Sequence, residues 1–215
     1  MAQQKTGDAQ PVITSKLRNE PVQARSTARL TRLLDAAAEV IDEIGFERLT
    51  TAMVAERAGA SIGTVYRYFP DRIAVLQSLS VRATADFIDE VTATLRDEGH
   101  SDWLQAMDAV LERLHESFRS KSGFRSLRFG DVIDLRTEEG STTNSAVVAE
   151  AIANALASRF SLKADNLAFT IEVAMTMADA LLARSYAAGT GAEEFSSAAK
   201  TVARGYLIEQ LGQPS

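Results

Sequence analysis

The stretch TTAMVAERAGASIGTVYRYFPDR, residues 50–72, decides how this chain folds. It predicts two short helices joined by a tight turn that contains glycine. The predicted segments are a first helix from Thr50 or Thr51, a turn at Ala58-Gly59-Ala60, and a second helix from Ser61 to about Phe69, before Pro70. Two helices with such a turn form a helix-turn-helix, whose second helix can enter the major groove of DNA.

The small and apolar residues of this stretch are spaced as the motif requires. Val54 and Val65 can bury against each other, and Gly59 stands where the turn needs a positive φ, which glycine adopts at little cost. A hydroxyl side chain caps a helix well because its oxygen accepts a hydrogen bond from a backbone N–H of the first turn. We therefore expect Thr51 to cap the first helix and Ser61 to cap the second.

The outward side of the second helix has the composition of a DNA-reading surface. Its residues are small, hydroxylated, aromatic or basic: Ser61, Gly63, Thr64, Tyr66, Arg67 and Tyr68. Ile62, Val65 and Phe69 are expected to supply its apolar side. The outward set could hydrogen-bond to phosphates and base edges and contact thymine methyl groups. The alternative is a solvated amphipathic hairpin in an all-helical domain.

Two segments, GFERLTT (45–51) and VAERAGASIGTVYRYF (54–69), together resemble the signature of the TetR family of one-component transcriptional regulators. The resemblance covers about residues 27–78. It implies an all-α homodimer, usually a repressor, whose larger C-terminal domain binds a small molecule that releases the protein from DNA.

The resemblance also implies which residues contact the DNA operator. Carried over by position, they are Thr51, Ser61, Gly63, Thr64, Tyr66, Tyr68 and Arg72. Arg67 adds a further candidate reader of a base or a phosphate. The sequence departs from the family pattern at Arg72, where lysine is commoner and the charge is kept, and at Ile62, where a polar or basic residue often stands. One phosphate contact is therefore in doubt at Ile62.

Composition limits the class of protein. A chain of 215 residues with 46% hydrophobic residues can bury one sizeable core or two modest ones. The absence of cysteine excludes disulfides, Cys-ligated zinc and thiol nucleophiles. No run of eighteen apolar residues occurs, and residues 1–25 lack an apolar signal core, so we expect a cytoplasmic protein with no membrane partner.

The distribution of charge reconciles an acidic chain with a DNA partner. The net charge is −6, but residues 1–72 hold ten Lys and Arg against nine Asp and Glu, which leaves −7 for the remainder. Residues 1–32 carry six basic and two acidic side chains. Because the local field steers association, such an N-terminal region is compatible with binding double-stranded DNA.

Three segments are expected along the chain. Residues 1–25 lack periodicity and predict a disordered arm, residues 26–72 predict the helix-turn-helix DNA-binding domain, and residues 73–215 predict an effector-binding and dimerisation domain. With the two short helices, about nine helices are predicted; the others lie at about 27–44, 72–97, 101–121, 123–129, 144–160, 163–188 and 192–211. Residues 131–143 are polar and predict a mobile connection.

The last two predicted helices are expected to form a homodimer interface. The helix at 163–188 is apolar on nearly every side, and a helix with so little polar surface is normally surrounded. Because few other helices are available to cover it, we expect a partner subunit to pack on it and on the last helix as a four-helix bundle. Burial in an ordinary core is the alternative.

An apolar cavity in the C-terminal domain is expected to bind a small-molecule effector of unknown identity. The candidate lining residues are Phe87, Trp103, Met107, His115, Phe118, Phe124, Phe169, Glu172 and Thr176. Core packing is the alternative for the aromatic residues, methionine and histidine. Glu172, Thr176 and Asp179 share one helix face. This face would favour a cationic or donor-rich effector if it looks inward, and it is a wet edge if it looks outward.

Catalytic and metal chemistry are not predicted. The chain has two histidines, His100 and His115, and their separation matches no metal-ligand spacing. No nucleophile–base constellation and no glycine-rich phosphate loop stand out, so no enzyme activity and no cofactor are expected.

The function expected from the sequence is that of a ligand-responsive, sequence-specific DNA-binding regulator, most often a repressor. Its operator would be roughly palindromic, because a twofold dimer presents two copies of the second helix. The alternative is a helical, dimeric ligand-binding or interaction module that does not read DNA specifically.

Overall fold

The computed structural model describes residues 20–128, 143–162, 165–187 and 191–214, and within them the chain forms helices and no strands. The helices are α1 (Glu20–Ile44), α2 (Thr51–Arg57), α3 (Ile62–Tyr68), α4 (Arg72–Arg96), α5 (Trp103–Ser120), α6 (Phe124–Leu127), α7 (Asn144–Phe160), α8 (Leu167–Ala187) and α9 (Ala192–Leu211). A 3-10 turn at Phe46–Arg48 lies between α1 and α2. The predicted all-α architecture of about nine helices is confirmed over these ranges.

Helix α1 begins at Glu20, earlier than the predicted start at about Thr27. The prediction is wrong because it treated Pro21 as part of an irregular arm. Proline is well tolerated in the first turn of a helix, where its missing N–H would have had no intrahelical partner. Residues 1–19 of the predicted arm, and residues 131–142 of the predicted mobile connection, lie outside the described residues.

The described helices build two hydrophobic cores. The first core lies among α1, α2, α3 and the first half of α4. Its larger members are Leu33, Ile41, Leu49, Val54, Val65, Phe69, Leu76 and Leu79. The second core lies among the rest of α4 and helices α5, α7, α8 and α9. Its larger members are Phe87, Val91, Trp103, Met107, Leu114, Phe118, Ile152, Ile171 and Leu207.

Two elements contribute to both cores. Helix α4 buries Leu76 in the first core and Phe87 in the second. Helix α6 has only four residues, yet it buries Phe124 in the second core and Leu127 in the first. Because buried side chains are close-packed, a displacement of α4 or α6 has to be accommodated in both cores.

The C-terminal end of α4 is held by an arginine on α7. The Arg159 guanidinium donates hydrogen bonds to the backbone carbonyls of Leu95 at 2.7 Å, of Asp97, and of His100 at 2.9 Å. The last carbonyls of a helix have no intrahelical partner, so a side-chain donor satisfies them. Arg159 therefore fixes the end of α4 and the turn that follows it against α7.

Arg159→Ala should lower the free energy of unfolding by about 1–2 kcal/mol, because charge-assisted hydrogen bonds are lost and water replaces only part of them. Arg159→Lys should recover less than half of this loss, since an ammonium lacks the planar fork of donors. Urea denaturation followed by circular dichroism measures both. The control is Arg113→Ala at an exposed arginine of α5, expected to stay within about 0.5 kcal/mol of wild type. Equal losses at the two sites would contradict the anchoring role.

Candidate nucleic-acid interface

The turn between α2 and α3 has the predicted geometry. Gly59 has a φ of 61°, a left-handed conformation that side-chain-bearing residues seldom adopt. Two backbone hydrogen bonds close the turn: the Gly59 amide donates to the Glu56 carbonyl at 3.1 Å, and the Ala60 amide donates to the Ala55 carbonyl at 2.9 Å. The predicted positive φ at Gly59 is therefore confirmed.

The helix caps match the prediction at α3 and differ from it at α2. Ser61 Oγ accepts a hydrogen bond from the Thr64 amide at 3.2 Å, as predicted. At α2 the cap is Thr50, whose Oγ1 accepts from the Met53 amide at 3.2 Å. The prediction of Thr51 as the cap is wrong because Thr50 has the extended backbone of an N-cap, with φ −128° and ψ 153°, whereas Thr51 is already helical.

The buried side of α3 is smaller than predicted. Val65 is fully buried, and Phe69 is buried just beyond the helix. Ile62 was expected on the same side, but its side chain is 43% exposed and lies outside the first core. The expectation is wrong because Ile62 is the first residue of α3 and its side chain points away from the first core, which Val65 of the same helix enters. Ile62 therefore joins the outward surface, one turn before the exposed Tyr66.

The packing of α2 against α3 brings several predicted DNA-contact residues together. Thr51 Oγ1 donates to the Tyr66 hydroxyl at 3.4 Å, which joins the start of α2 to the middle of α3. Ser61 Oγ and Thr64 Oγ1 lie 2.9 Å apart. Ser61 and Tyr66 are exposed and Thr51 and Thr64 are half-buried, so both pairs of hydroxyl groups can be reached from the outward side of the motif.

Two further predicted contact residues lie at the edges of this side. Tyr68 is half-buried, and its hydroxyl is 3.2 Å from Ser26 Oγ of α1. Arg72 is exposed at the first position of α4, and its Nη1 donates to the Glu47 carbonyl at 2.5 Å. This hydrogen bond holds the Arg72 guanidinium beside the motif while leaving other N–H donors for a phosphate.

Arg67 is the one positively charged residue of α3. It is exposed, and within the described part of the chain no hydrogen bond or ion pair engages its side chain. By contrast, Arg57 of α2 binds Glu39 and Glu43 of α1 at 3.3 Å and 2.6 Å. The hydrogen bond between Arg57 and Glu43 lowers the pKa of Glu43 and raises the pKa of Arg57. Because α3 itself has no carboxylate, its outward side is left with uncompensated positive charge.

Gly63 lies inside α3 without an internal reason for glycine. Its backbone is helical, and a Cβ built on it would meet only Ser61 Oγ, at 4.0 Å, which is an ordinary contact. Glycine inside a helix costs about 0.5–1 kcal/mol relative to alanine. No described residue would clash with a side chain at this position, so packing within the described chain does not explain the glycine. The open space at Gly63 suits the close approach of another molecule.

Most of the predicted effector residues lie in the second core. Phe87, Trp103, Met107, Phe118 and Phe124 are at most 5% exposed and pack there with one another and with neighbouring helices. This arrangement agrees with core packing, the alternative expected for aromatic residues and methionine at helical spacing. These residues have the same spacing along the sequence whether they fill a core or line an empty cavity, so the spacing could not decide between the two.

The remaining predicted effector residues on α8 face away from that core. Phe169 and Thr176 are exposed, and Glu172 is half-buried. Phe169 and Glu172 border an open cleft of about 700 Å³ between α7 and α8. Asp179, on the same face, binds Arg128 at 2.5 Å. The polar face of α8 is therefore exposed at Thr176 and covered at Asp179, whose side chain is 19% exposed, so it is neither wholly inward nor wholly the wet edge that the sequence offered as alternatives.

His115 borders a different cleft, of about 840 Å³, between α5, α8 and α9. His115 Nε2 lies 3.2 Å from Ser196 Oγ, and the rings of His115 and Tyr186 meet edge-on with centroids 6.3 Å apart. Leu111 and Leu182 supply apolar lining. The sequence singled out only His115 because, apart from Glu112 of α5, the other polar and aromatic lining residues lie on α8 and α9, and no spacing connects them to α5.

Metal and membrane sites are not apparent in the described ranges. There, no group of three or more His, Asp or Glu side chains is placed to hold a metal ion. None of the helices in these ranges combines the length and the apolar character needed to cross a membrane.

Family models match both parts of the chain. Residues 33–79 match the model for bacterial regulatory proteins of the tetR family, and residues 101–211 match the model for the tetracyclin repressor-like C-terminal domain. A TetR-family transcriptional regulator of known structure from Streptomyces coelicolor is 31% identical, with a TM-score of 0.71, over 85% of this chain and 99% of that one.

Curated relatives agree over a shorter length. The HTH-type transcriptional regulator BetI of Escherichia coli is 31% identical over 60% of this chain and 55% of the relative. The nucleoid occlusion factor SlmA of Haemophilus influenzae is 26% identical over 58% of this chain and 55% of the relative. The chain thus spans about half the length of these curated relatives. Together with the family models and the Streptomyces structure, these matches show that the chain belongs to the TetR family of DNA-binding transcriptional regulators, which are not enzymes.

Proposed function

We propose that this protein is a homodimeric repressor that binds a palindromic operator through α3 and leaves it when a small molecule binds. The observation that supports this proposal most is the outward side of α3. It combines an unengaged Arg67, the open space at Gly63 and the absence of carboxylates. Such a side offers donors to phosphates and base edges and lets DNA approach closely. A bacterial regulator of this kind works in the cytoplasm, where its operator lies.

Dimerisation is proposed through the outer faces of α8 and α9. Thr176 and Ala180 are exposed on α8, and Val202 and Gly205 are exposed on α9. Gly205, in the middle of α9, borders the mouth of the cleft beside His115, and beyond its chain neighbours and its own helix backbone no described atom lies within 4 Å of a Cβ built on it. A mid-helix glycine costs stability, so its open surroundings suit the close approach of another helix. A twofold copy packed on this face would complete a four-helix bundle and present two copies of α3.

The effector is proposed to bind in the cleft lined by His115. A volume of about 840 Å³ is in the usual range of small-molecule sites. His115 and Ser196 offer hydrogen-bonding groups that could orient a polar part of the ligand, and Leu111 and Leu182 could contact an apolar part. The core aromatics named from the sequence would then support this cleft from behind instead of lining it.

A continuous set of contacts supports a route from this cleft to the DNA-binding helices. Tyr186 stacks on Phe118 with ring centroids 5.8 Å apart, and Phe118 meets Phe124 of α6 edge-on at 5.4 Å. The Gly123 amide, directly before α6, donates to the Asp42 carboxylate of α1 at 2.8 Å. A ligand that displaces Tyr186 would shift α6 and, through it, the seat of α1. These contacts couple the two sites only if a ligand in the cleft changes DNA binding and DNA changes ligand binding in turn.

Selection of bound sequences from a pool of random DNA duplexes tests the proposal. We expect a palindromic consensus whose half-site centres lie about one helical turn, roughly 34 Å, or somewhat more apart. A thermal-shift screen of small molecules then identifies ligands, and Tyr186→Ala should weaken their ability to release the selected operator. A selection that yields no consensus would contradict the proposal and favour a helical ligand-binding module without specific DNA reading.

A further inference from the structure

The charges of α1 are segregated along its length. Its second half carries four acidic residues: Asp35, Glu39, Asp42 and Glu43. Arg82 binds the first of them, Arg57 binds the two glutamates, and the Gly123 amide binds the remaining aspartate. Residues 25–34, in the first half, include three arginines and no acidic residue. The acidic half is thus satisfied within the protein, whereas the basic half is not.

The three arginines of the basic half, Arg25, Arg29 and Arg32, share one helix face, because they follow one another at intervals of four and three residues. All three are exposed, and no hydrogen bond or ion pair joins them to any described residue. At about 1.5 Å per residue they form a strip of positive charge roughly 10 Å long. Like charges at this spacing repel one another, so the arrangement is unfavourable for the isolated protein. We call these three residues the arginine stripe.

The arginine stripe begins beside the end of α3. Ser26, the neighbour of Arg25, contacts the hydroxyl of Tyr68, the last residue of α3, at 3.2 Å. A duplex that receives α3 in its major groove continues past the end of that helix. The Ser26 contact thus places Arg25 at the end of α3 that such a duplex passes, and Arg29 and Arg32 follow it about 6 Å and 10 Å further along α1.

We propose that Arg25, Arg29 and Arg32 bind successive phosphates of the DNA strand that flanks the half-site contacted by α3. This inference rests on the proposed operator binding and adds a second contact surface to it. At a rise of about 3.4 Å per phosphate of one strand, the roughly 10 Å length of the stripe spans three intervals, so three successive phosphates lie within its reach. Guanidinium groups suit phosphates because their N–H donors form paired hydrogen bonds with phosphate oxygens.

Phosphate contacts fix position and add affinity but carry no direct sequence information. The stripe should therefore strengthen binding to an operator and to a random duplex by the same factor. Each contact also releases counterions, which lowers the slope of log K against log salt concentration by about 0.9 per phosphate. These two properties separate the stripe from α3, whose base contacts act on the operator alone.

The test is a salt series by fluorescence anisotropy on the full chain in which Arg25, Arg29 and Arg32 are all replaced by glutamine. With six contacts per dimer at about 0.9 each, we expect the slope to become less steep by about 5 on both operator and random duplex. The operator-to-random affinity ratio should stay unchanged. Replacing the same three residues by lysine should restore most of the slope, because the charge is kept.

The matched control replaces Arg96, Arg113 and Arg119, exposed arginines of α4 and α5, by glutamine and so removes the same charge. Its slope should stay within about 1 of wild type. Equal slopes for the stripe variant and the control would overturn the inference. Single substitutions, each expected to change the slope by about 2 per dimer, keep the test valid if the triple variant does not fold. The salt slope on random duplex tests the arginine stripe on its own, because it does not depend on sequence preference. If the wild-type protein prefers no operator, the proposed function is overturned, and the random-duplex slope still tests the stripe.

Discussion

Val202→Asp should give a folded monomer that binds the operator at least about 100-fold more weakly than wild type. In a dimer, binding of one α3 to its half-site raises the effective concentration of the second α3 at the other half-site, and a monomer lacks this advantage. Val202 is 43% exposed on the outer face of α9 in the single chain. In the proposed bundle it would be buried against the partner subunit, where an unpaired carboxylate is strongly unfavourable. Light scattering coupled to size exclusion gives the mass, and fluorescence anisotropy gives the affinity.

Val81 provides the matched control for this substitution. It lies on α4 and is 61% exposed, away from the proposed interface. Val81→Asp introduces the same charge into a comparable solvent-facing position, so the protein should remain dimeric with an operator affinity close to wild type. If Val202→Asp also stays dimeric, the α8–α9 interface is not where the subunits meet.

Gly63→Ala should make the protein more stable and its DNA binding weaker. The added methyl group meets no described atom closer than Ser61 Oγ at 4.0 Å. Replacing a helical glycine by alanine then raises the free energy of unfolding by about 0.5–1 kcal/mol. On the operator, the same methyl group would occupy the space through which DNA approaches α3. With a loss of about 1–3 kcal/mol at each of two half-sites, affinity should fall at least about 30-fold.

The opposite signs of the two effects make Gly63→Ala informative. Thermal unfolding of the free protein and anisotropy on the operator measure them separately. A substitution that harms folding would lower both quantities, and a substitution at an ordinary solvated position would leave DNA binding unchanged. Unchanged DNA binding would show that Gly63 does not face the duplex, and a loss of stability would contradict the open space at this position.

The helix-turn-helix could be predicted from sequence because its determinants are local. The positive φ at Gly59 and the cap at Ser61 depend on neighbours within a few residues. The errors at Thr51 and Ile62 concern single positions at helix ends, where one residue decides between cap and first turn, or between core and surface. The early start of α1 depends on Pro21 being in a first turn, which periodicity does not detect.

The effector site could be predicted much less well because it depends on tertiary packing. Phe87 and Phe118 have helical spacing whether they line a cavity or fill a core, and the structure places them in a packed core. The cleft beside His115 joins residues of α5 to residues such as Ser196, 81 positions later in the chain. The arginine stripe could be predicted in part. The spacing of its residues can be read from the sequence, but its position beside Tyr68 is known only from the folded structure.

The proposed function requires the outward side of α3 to discriminate DNA sequence in a dimer. The most direct measurement is the ratio of dissociation constants for the selected operator and for the same duplex with scrambled half-sites, at about 0.15 M salt. We expect the operator to bind at least about 1,000-fold more tightly, as it does for sequence-specific regulators. A ratio near one would contradict the proposed function.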